Sequence, residues 1–494
     1  MPGCRTAWPG GWARGADTRQ GRAVGVDSRA GRVRLRFQFA ASVVTALTVS
    51  VLWAGSADAD SSGQRLWTAR YDGPSHADDR ARSIAASADG ASVYVTGTSS
   101  DDIATVGYDA ATGARRWSRR YDGTPGGIDE GEAVTVSPDG TAVFVTGGTA
   151  DLNDPSTLDY ATVAYDAASG AVLWASRYDG PGHSDDESIA ITTSPDGSRV
   201  FVTGQSVGAG SSDDYATVAY SASTGARLWV ARYNGTGNDS DAALALAVTP
   251  DGARLIVTGT SVGLSSGLDY ATLAYDTASG AQLWARRYKA RAQGDDIAHS
   301  VASSPDGATA YVTGASDGSD RTERDFATVA YDTVTGATRW VSRFSSPGAQ
   351  FDGGSAVAVS PSGGRLFVTG VTRDDVTGTD FATLAYDAAT GARIWASRYN
   401  GPGDSADQAS SISVGPDGSA LYVAGTSFSA TGGDYATVAY TTASGAQLWV
   451  RRHDGPAGGN DSAAAVVTTA DRVFVTGQEQ GALSVDYATL AYLR

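Results

Sequence analysis

Cysteine and lysine are almost absent from this 494-residue chain: Cys4 is the only cysteine and Lys289 the only lysine. A single cysteine excludes an internal disulfide and any site built from several thiolates. The four histidines form neither His-x-His nor His-Glu-x-x-His, which removes the common zinc patterns. The formal net charge of −17 makes the chain a poor partner for nucleic acid.

Recognisable catalytic motifs are also lacking. There is no Gly-x-Ser-x-Gly elbow and no phosphate-binding loop. Aspartate occurs throughout the chain, so a pair of carboxylates carries no information about catalysis. We therefore predict no catalytic residue and no cofactor, and the residue pattern leaves open whether a metal ion binds.

The first 59 residues differ in composition from the rest. They contain eight Arg and three Asp, an apolar stretch from Phe37 to Trp53, and the small-x-small pattern Ala57-Asp58-Ala59. This pattern predicts an N-terminal extension with a secretory signal peptide over 1–59, cleaved after Ala59. A retained membrane anchor is the alternative. Cleavage would lower the net charge to −22 and leave a secreted or cell-surface bacterial protein without a membrane span.

The remainder of the chain repeats one pattern eight times, with a period of 50–57 residues between tryptophans. The repeated tryptophans are Trp67, Trp117, Trp174, Trp229, Trp284, Trp340, Trp395 and Trp449. A period of that length with several short β-type segments is typical of propellers. We predict an all-β domain over 60–494, an eight-bladed β-propeller.

The repeat at residues 186–235 shows how one blade is built. β-Branched and aromatic runs separated by turn residues predict four antiparallel strands. The predicted strands are Ser188–Thr193, Arg199–Gly204, Tyr215–Tyr220 and Ala226–Tyr233. The segment Ser194-Pro195-Asp196-Gly197 is a tight turn, because proline presets φ and glycine accepts a positive φ.

The last repeat stops after its third strand, at Tyr492-Leu493-Arg494. The missing fourth-strand sequence occurs instead at Leu66–Tyr71. We therefore predict that the N-terminal strand completes the last blade and closes the ring, which removes exposed sheet edges. By analogy with the other repeats, Arg70 should lie beside Asp486.

Three polar positions are identical in all eight repeats. The arginines are Arg70, Arg120, Arg177, Arg232, Arg287, Arg343, Arg398 and Arg452. The aspartates that open the third strand are Asp102, Asp159, Asp214, Asp269, Asp325, Asp380, Asp434 and Asp486. The aspartates before the first strand are Asp79, Asp129, Asp186, Asp241, Asp296, Asp352, Asp407 and Asp461. We interpret them as a structural Arg–Asp lock and the tryptophans as packing between blades. A ring of cation sites and exposed rings for sugar stacking are the alternatives.

Strand order decides which loops share a face. The first-to-second and third-to-fourth turns are tight and nearly invariant, whereas the second-to-third and fourth-to-first loops vary in length and sequence. Binding usually resides in variable loops on a rigid frame. Within those loops, His76 and His183 are interpreted as solvated, Asp151-Leu152-Asn153-Asp154 as a weak calcium-like segment, and Asp185-Asp186-Glu187 as a solvated turn.

Two family resemblances support this fold. The run from Ala164 to Trp174 resembles the tryptophan-docking motif of quinoprotein (PQQ-type) propellers, Ala-x-Asp-x-x-x-Gly-x-x-x-Trp. Other repeat segments resemble bacterial exported β-propeller repeat proteins. The first resemblance implies eight blades; quinone enzymes of that family typically carry an adjacent Cys pair and acidic or amide calcium ligands. The predicted mature chain has no cysteine, which argues against a quinone cofactor.

The sequence thus favours a secreted, non-catalytic binding or scaffold propeller, expected to be a monomer. Its ligand, a protein or an envelope glycan, would dock on the variable-loop face. The alternative is an enzyme, either a quinone-dependent oxidoreductase or a hydrolase of polysaccharide.

Overall fold

The computed structural model describes residues 62–151, 154–264, 267–290, 294–318, 324–347, 351–374 and 377–494. These residues form 32 β-strands in eight four-stranded antiparallel sheets. Over the described ranges no helix is long and apolar enough to cross a membrane. The predicted signal peptide lies outside the described residues and stays a prediction.

Each sheet is one blade, and the blades are named I to VIII in chain order. The first strands are β2 (Asp79–Ala86), β6 (Ile128–Val136), β10 (Asp186–Thr193), β14 (Asp241–Val248), β18 (Asp296–Ser303), β22 (Phe351–Val359), β26 (Asp407–Val414) and β30 (Ser462–Thr468). The second strands are β3 (Ser92–Ser99), β7 (Ala142–Asp151), β11 (Arg199–Val207), β15 (Arg254–Val262), β19 (Thr309–Asp317), β23 (Arg365–Asp374), β27 (Ala420–Ser429) and β31 (Arg472–Gln480). The third strands are β4 (Asp102–Asp109), β8 (Asp154–Asp166), β12 (Asp213–Ser221), β16 (Leu268–Asp276), β20 (Arg324–Asp332), β24 (Gly378–Asp387), β28 (Gly432–Thr441) and β32 (Val485–Leu493). The fourth strands are β5 (Arg115–Tyr121), β9 (Val172–Tyr178), β13 (Arg227–Tyr233), β17 (Gln282–Tyr288), β21 (Thr338–Phe344), β25 (Arg393–Tyr399), β29 (Gln447–His453) and β1 (Arg65–Tyr71).

Blade III confirms the predicted strand pattern; its first three strands are two or three residues longer than predicted, and its fourth strand is one residue shorter. β11 and β12 pair without interruption from Arg199 opposite Ser221 to Val207 opposite Asp213. The predicted tight turn is present, because Gly197 has a φ of +69° and its amide donates to the Ser194 carbonyl at 2.9 Å. Both sheet faces of the middle strands are buried, as expected for sheets packed between two neighbours.

The first strands form an inner ring, because each one contacts the first strands of the adjacent blades. Each first strand also carries a β-bulge, where one residue lacks a partner on the second strand. Fourth strands pair only with the third strand of their own blade and form the outer edge. The extra residue of a bulge is unpaired and its side chain points in a different direction from its neighbours. The residue type at this position can therefore vary without disturbing the strand pairing.

The N-terminal strand closes the ring, as predicted. β1 pairs with β32 in blade VIII, with Trp67 opposite Ala491 and Tyr71 opposite Tyr487. Just before β1, the Gly63 amide donates to the Leu493 carbonyl at 2.7 Å. The closing blade therefore contains both the first and the last strand of the ring.

The repeated tryptophans lie between blades, also as predicted. The Trp117 ring packs between Tyr94 and Tyr165, with ring centroids 5.7 and 5.9 Å away. Its Nε1 donates to the Ala167 carbonyl of the next blade at 3.0 Å. The tryptophans of blades II to VI make the same Nε1 hydrogen bond to a backbone carbonyl of the next blade, and Trp67 makes it to blade I. These bonds are 2.8–3.1 Å long. Each ring thus ties one blade to the next and is not presented for sugar stacking.

Candidate functional site

The predicted Arg–Asp lock is present in seven blades. In blade III, Arg232 lies opposite Ala216, and its guanidinium reaches diagonally to Asp214, with Nη2 2.9 Å from Oδ2. The equivalent pairs are Arg120–Asp102, Arg177–Asp159, Arg287–Asp269, Arg343–Asp325, Arg398–Asp380 and Arg452–Asp434. These positions lie at the ends of the third-to-fourth strand hairpins on the variable-loop face.

The lock joins more than two strands. Arg232 Nη1 donates to Ser206 Oγ of the second strand at 2.5 Å, and Nη2 donates to the Ser206 carbonyl at 2.8 Å. The same guanidinium reaches the Tyr178 hydroxyl of the preceding blade at 3.1 Å. One arginine therefore connects three strands of its own blade and the blade before it, which supports the structural interpretation.

The aspartates at the start of the first strands also have a structural role, because they accept hydrogen bonds from backbone amides. Asp186 Oδ1 accepts a hydrogen bond from the Val207 amide at 3.1 Å, and its Oδ2 accepts one from the Gly180 amide. All eight equivalents are buried, and burial raises the pKa of each. For Asp186 the pKa rises to about 6.

The closing blade corrects one prediction. Arg70 binds Glu479, with Nη2 3.3 Å from Oε2 and a closer contact through Nε, and does not bind Asp486. Glu479 stands where the other blades have Ser or Thr, so its longer carboxylate reaches the guanidinium first. His453 replaces the usual Tyr or Phe, and its Nε2 lies 2.9 Å from Glu479 Oε2. Sequence comparison of the eight repeats could have identified both exceptions.

The other polar residues singled out from the sequence do not converge on one site. His76 and His183 are exposed, and each Nδ1 contacts the aspartate four residues earlier, at 2.6 Å for Asp72 and 2.7 Å for Asp179. Asp185-Asp186-Glu187 is not a simple solvated turn, because Asp186 is buried in the frame. The side chains of the Asp151–Asp154 segment lie outside the described residues.

The residue at the β-bulge of each first strand varies in type among the blades. These residues are Arg82, Glu132, Ile189, Leu244, His299, Ser355, Ser410 and Ala464. Two residues earlier the strands carry Arg80, Glu130, Glu187, Ala242, Ile297, Gly353, Gln408 and Ser462. Their place on the innermost strands puts these residues around the centre of the ring.

Acidic side chains cluster on one side of this inner ring. One carboxylate oxygen from each of Glu130, Glu132 and Glu187 lies within 4.8 Å of the others. Arg82 Nε lies 3.7 Å from Glu132, and Gln205 Nε2 donates to Glu187 at 3.1 Å. The sequence analysis missed this cluster, although the signal was visible as departures from the repeat beside the invariant first-strand aspartate.

The residue that follows the fourth strand shows the same asymmetry. At four consecutive blade junctions it is an exposed aspartate: Asp454, Asp72, Asp122 and Asp179. At the other four junctions it is Asn234, Lys289, Ser345 and Asn400. The variable-loop face therefore has an acidic half, from the blade VII–VIII junction to the blade II–III junction, and a half without this acidic row.

Residues 159–319 and 324–490 match the family model described as outer membrane protein assembly factor BamB. The chain belongs to this family. A comparison with curated proteins gives no match.

Solved structures of several propellers are similar to this BamB-family chain. BamB from Moraxella catarrhalis is 18% identical with a TM-score of 0.47, covering 86% of this chain and 97% of that one. Sqt1 from Chaetomium thermophilum, bound to the N-terminus of ribosomal protein L10, is 16% identical with a TM-score of 0.56, covering 86% and 98%. Quinohemoprotein alcohol dehydrogenase from Comamonas testosteroni is 13% identical with a TM-score of 0.50, covering 86% and 76%. The likenesses to Sqt1 and to the alcohol dehydrogenase agree with the propeller fold described above.

The inner ring does not fit a quinone cofactor. A planar quinone needs a flat surface on which to stack at the ring axis. The sixteen variable inner-ring positions include no Trp, Tyr or Phe; the one imidazole among them, His299, contacts the Gly354 carbonyl at 2.7 Å, and the repeated tryptophans are held between the blades. We therefore derive no redox step for this chain.

Proposed function

We propose that this BamB-family chain is a non-catalytic extracytoplasmic propeller that binds a protein partner across its variable-loop face. The proposal rests on the different places of repeated and non-repeated residues in the structure. Apart from Asp486, which has no arginine partner in the closing blade, the invariant Arg, Asp and Trp side chains make frame contacts, whereas the varied residues gather on one face and around the inner ring. Variable positions on a rigid frame are where binding surfaces usually form.

Charge suggests the kind of partner. The exposed aspartates of the acidic half and the Glu130–Glu132–Glu187 cluster lie on the same side of the ring, in blades VIII to III. On the opposite side, Lys289 and Arg373 are exposed. A surface with separated charges orients a partner of complementary charge and speeds its encounter. The partner should therefore present a basic segment to the acidic half.

The comparisons support protein binding without naming the partner. The matching family is described as an assembly factor, and the Sqt1 propeller was solved with the N-terminus of another protein bound.

The test compares two pairs of equal charge change on the same face. Asp122→Asn with Asp179→Asn removes two of the four exposed aspartates of the acidic half, and Asp239→Asn with Asp404→Asn removes two exposed aspartates of the other half. Purified wild type and both double variants would be crosslinked in envelope extract of the producing organism, with crosslinked peptides located by mass spectrometry.

We expect one protein to crosslink to variable loops of blades VIII to III in wild type and in the control pair. Its recovery should fall at least about tenfold with the acidic-half pair, and it should decrease with added salt. Crosslinks confined to the outer strands, or equal recovery with both pairs, would contradict the proposal. Enrichment of glycan without protein would favour the envelope-glycan alternative.

A further inference from the structure

The junction between the closing blade VIII and blade I holds three carboxylates. One oxygen from each of Asp72, Asp79 and Asp486 lies within 4.8 Å of the others. The same repeat positions form equivalent trios at three other junctions: Asp102–Asp122–Asp129, Asp159–Asp179–Asp186 and Asp434–Asp454–Asp461. These trios serve as internal controls for the first one.

The trio at the closing junction lacks the arginine that the other three have. Arg120 binds Asp102 at 2.7 Å, Arg177 binds Asp159 at 2.8 Å, and Arg452 binds Asp434. The equivalent Arg70 is held by Glu479. Asp486 accepts a hydrogen bond from the Ser484 hydroxyl at 3.1 Å, and it forms no ion pair within the described ranges.

A buried oxygen without a partner lies in this trio. Asp79 is 0% exposed; its Oδ2 accepts the Gly73 amide at 2.6 Å, and its Oδ1 accepts no hydrogen bond of normal geometry, although the Ser99 hydroxyl lies beside the carboxylate. In blade III the equivalent oxygen accepts the Val207 amide. In blade I the corresponding amide, that of Ser100, donates to the Asp78 carbonyl, because a tight turn with positive φ at Ser100 and Asp101 re-aims it.

The pKa values of the two less exposed carboxyls of the trio are raised. For Asp79 burial is the main cause and the charge of Asp72 adds to the rise, whereas the Ser99 hydroxyl, the Gly73 amide and the charge of Arg120 act in the opposite direction. The exposed Asp72 contacts His76 Nδ1 at 2.6 Å. Burial likewise raises the pKa of Asp486, with further contributions from Asp72 and Asp79. Asp129, in the second trio, also has a buried oxygen without a partner, but in that trio Arg120 forms an ion pair with Asp102, the position at which the closing trio has Asp486.

We infer that Asp72, Asp79 and Asp486 bind a divalent cation, Ca²⁺, at the point where the ring closes. Carboxylate oxygens are the ligands that hard cations prefer, and Ca²⁺ accepts the irregular geometry of a loop site completed by water. The ion would join the loop that follows β1 and the start of β2 to β32, and would so stabilise the closed ring.

The test titrates CaCl₂ up to ~1–5 mM, the range of extracellular calcium modules. Calorimetry would measure binding, and thermal unfolding would measure its effect on stability. We expect one site in wild type and a saturable rise in Tm. Asp72→Asn should weaken binding at least about tenfold, because calcium affinity follows the number of charged ligands. The matched Asp122→Asn should bind as wild type does; both variants place Asn where Asn234 and Asn400 already occur.

A second variant removes no ligand. Glu479→Ser combined with His453→Tyr restores the residues found in other blades, which frees Arg70 to bind Asp486. We expect this variant to stay folded and to lose calcium binding. The inference is overturned if wild type shows neither heat nor a Tm rise with CaCl₂, if Asp122→Asn loses binding as Asp72→Asn does, or if the restored variant binds calcium unchanged.

Discussion

At the scale of single residues, the docking of tryptophan on glycine explains the most regular feature of the chain. Gly170 has a φ of +68°, and a Cβ at this position would lie 2.6 Å from the Trp117 ring. The same arrangement recurs in the other blades, and Gly63 provides it for Trp449. Glycine is required at these positions for two reasons: the backbone has a positive φ, and the tryptophan ring leaves no room for a Cβ.

We predict that Gly170→Ala destabilises the ring by roughly 2–4 kcal/mol, combining the left-handed backbone cost with the clash against Trp117. Gly140→Ala is the matched control, because Gly140 has a φ of +73° and nothing lies within 4 Å of an added Cβ. It should cost only the backbone share, about 1–2 kcal/mol. Urea titration measures both; equal losses would show that the docking contact adds nothing.

At the scale of elements, the Arg–Asp lock holds the hairpin of third and fourth strands against the second strand. Its strength should depend on burial, because exposed ion pairs contribute little, whereas a buried carboxylate left unpaired is costly. Asp269 is 3% exposed beneath Arg287, whereas Asp159 is 14% exposed beneath an Arg177 that is 42% exposed.

Arg287→Met, which keeps most of the apolar stem, should therefore lower the unfolding free energy by about 1–3 kcal/mol. Arg177→Met should cost less than about 1 kcal/mol. Chemical denaturation of the two single variants checks the order. If Arg177→Met proved the more costly change, burial would not be the property that decides the strength of the lock.

At the scale of the whole molecule, closure depends on one strand. Deletion of residues 60–72 removes β1 and exposes the edge of β32, so we expect a marked fall in Tm and association in solution. A synthetic peptide covering residues 62–73 should restore part of the Tm. Size-exclusion chromatography and thermal unfolding measure both effects, and an unchanged Tm after deletion would contradict the role of β1.

The buried first-strand aspartates predict an unusual pH dependence. A carboxyl whose pKa is raised on folding stabilises the fold fully below its unfolded pKa, and this contribution is lost as pH rises through the folded pKa. For Asp186 the window runs from about 4 to about 6. We expect Tm to fall between about pH 4 and about pH 6. Asp186→Asn should reduce the fall by roughly 1–3 kcal/mol of unfolding free energy; an identical profile would refute this assignment.

The sequence by itself determined the frame. Eight copies of one pattern determined the number of blades, the four strands in each and the packing of Trp117 and its equivalents, because turn chemistry and a fixed period are local properties. Closure by β1 could be predicted although its partner strand is distant in sequence, because the fourth-strand sequence that the last repeat lacks occurs at Leu66–Tyr71. Asp214 and Arg232 could be paired for the same reason, since they lie on adjacent strands of one hairpin.

Only the tertiary structure decided the partner of Arg70 and the residues that meet around the inner ring. Arg70 and Glu479 are about four hundred positions apart, and their contact depends on which of two neighbouring carboxylates reaches the guanidinium first. Glu130 and Glu187 meet because bulged strands of adjacent blades converge at the centre of the ring. Such contacts depend on the distances between strands of different blades, and no local sequence pattern encodes those distances. The frame could therefore be predicted, whereas the candidate sites could not.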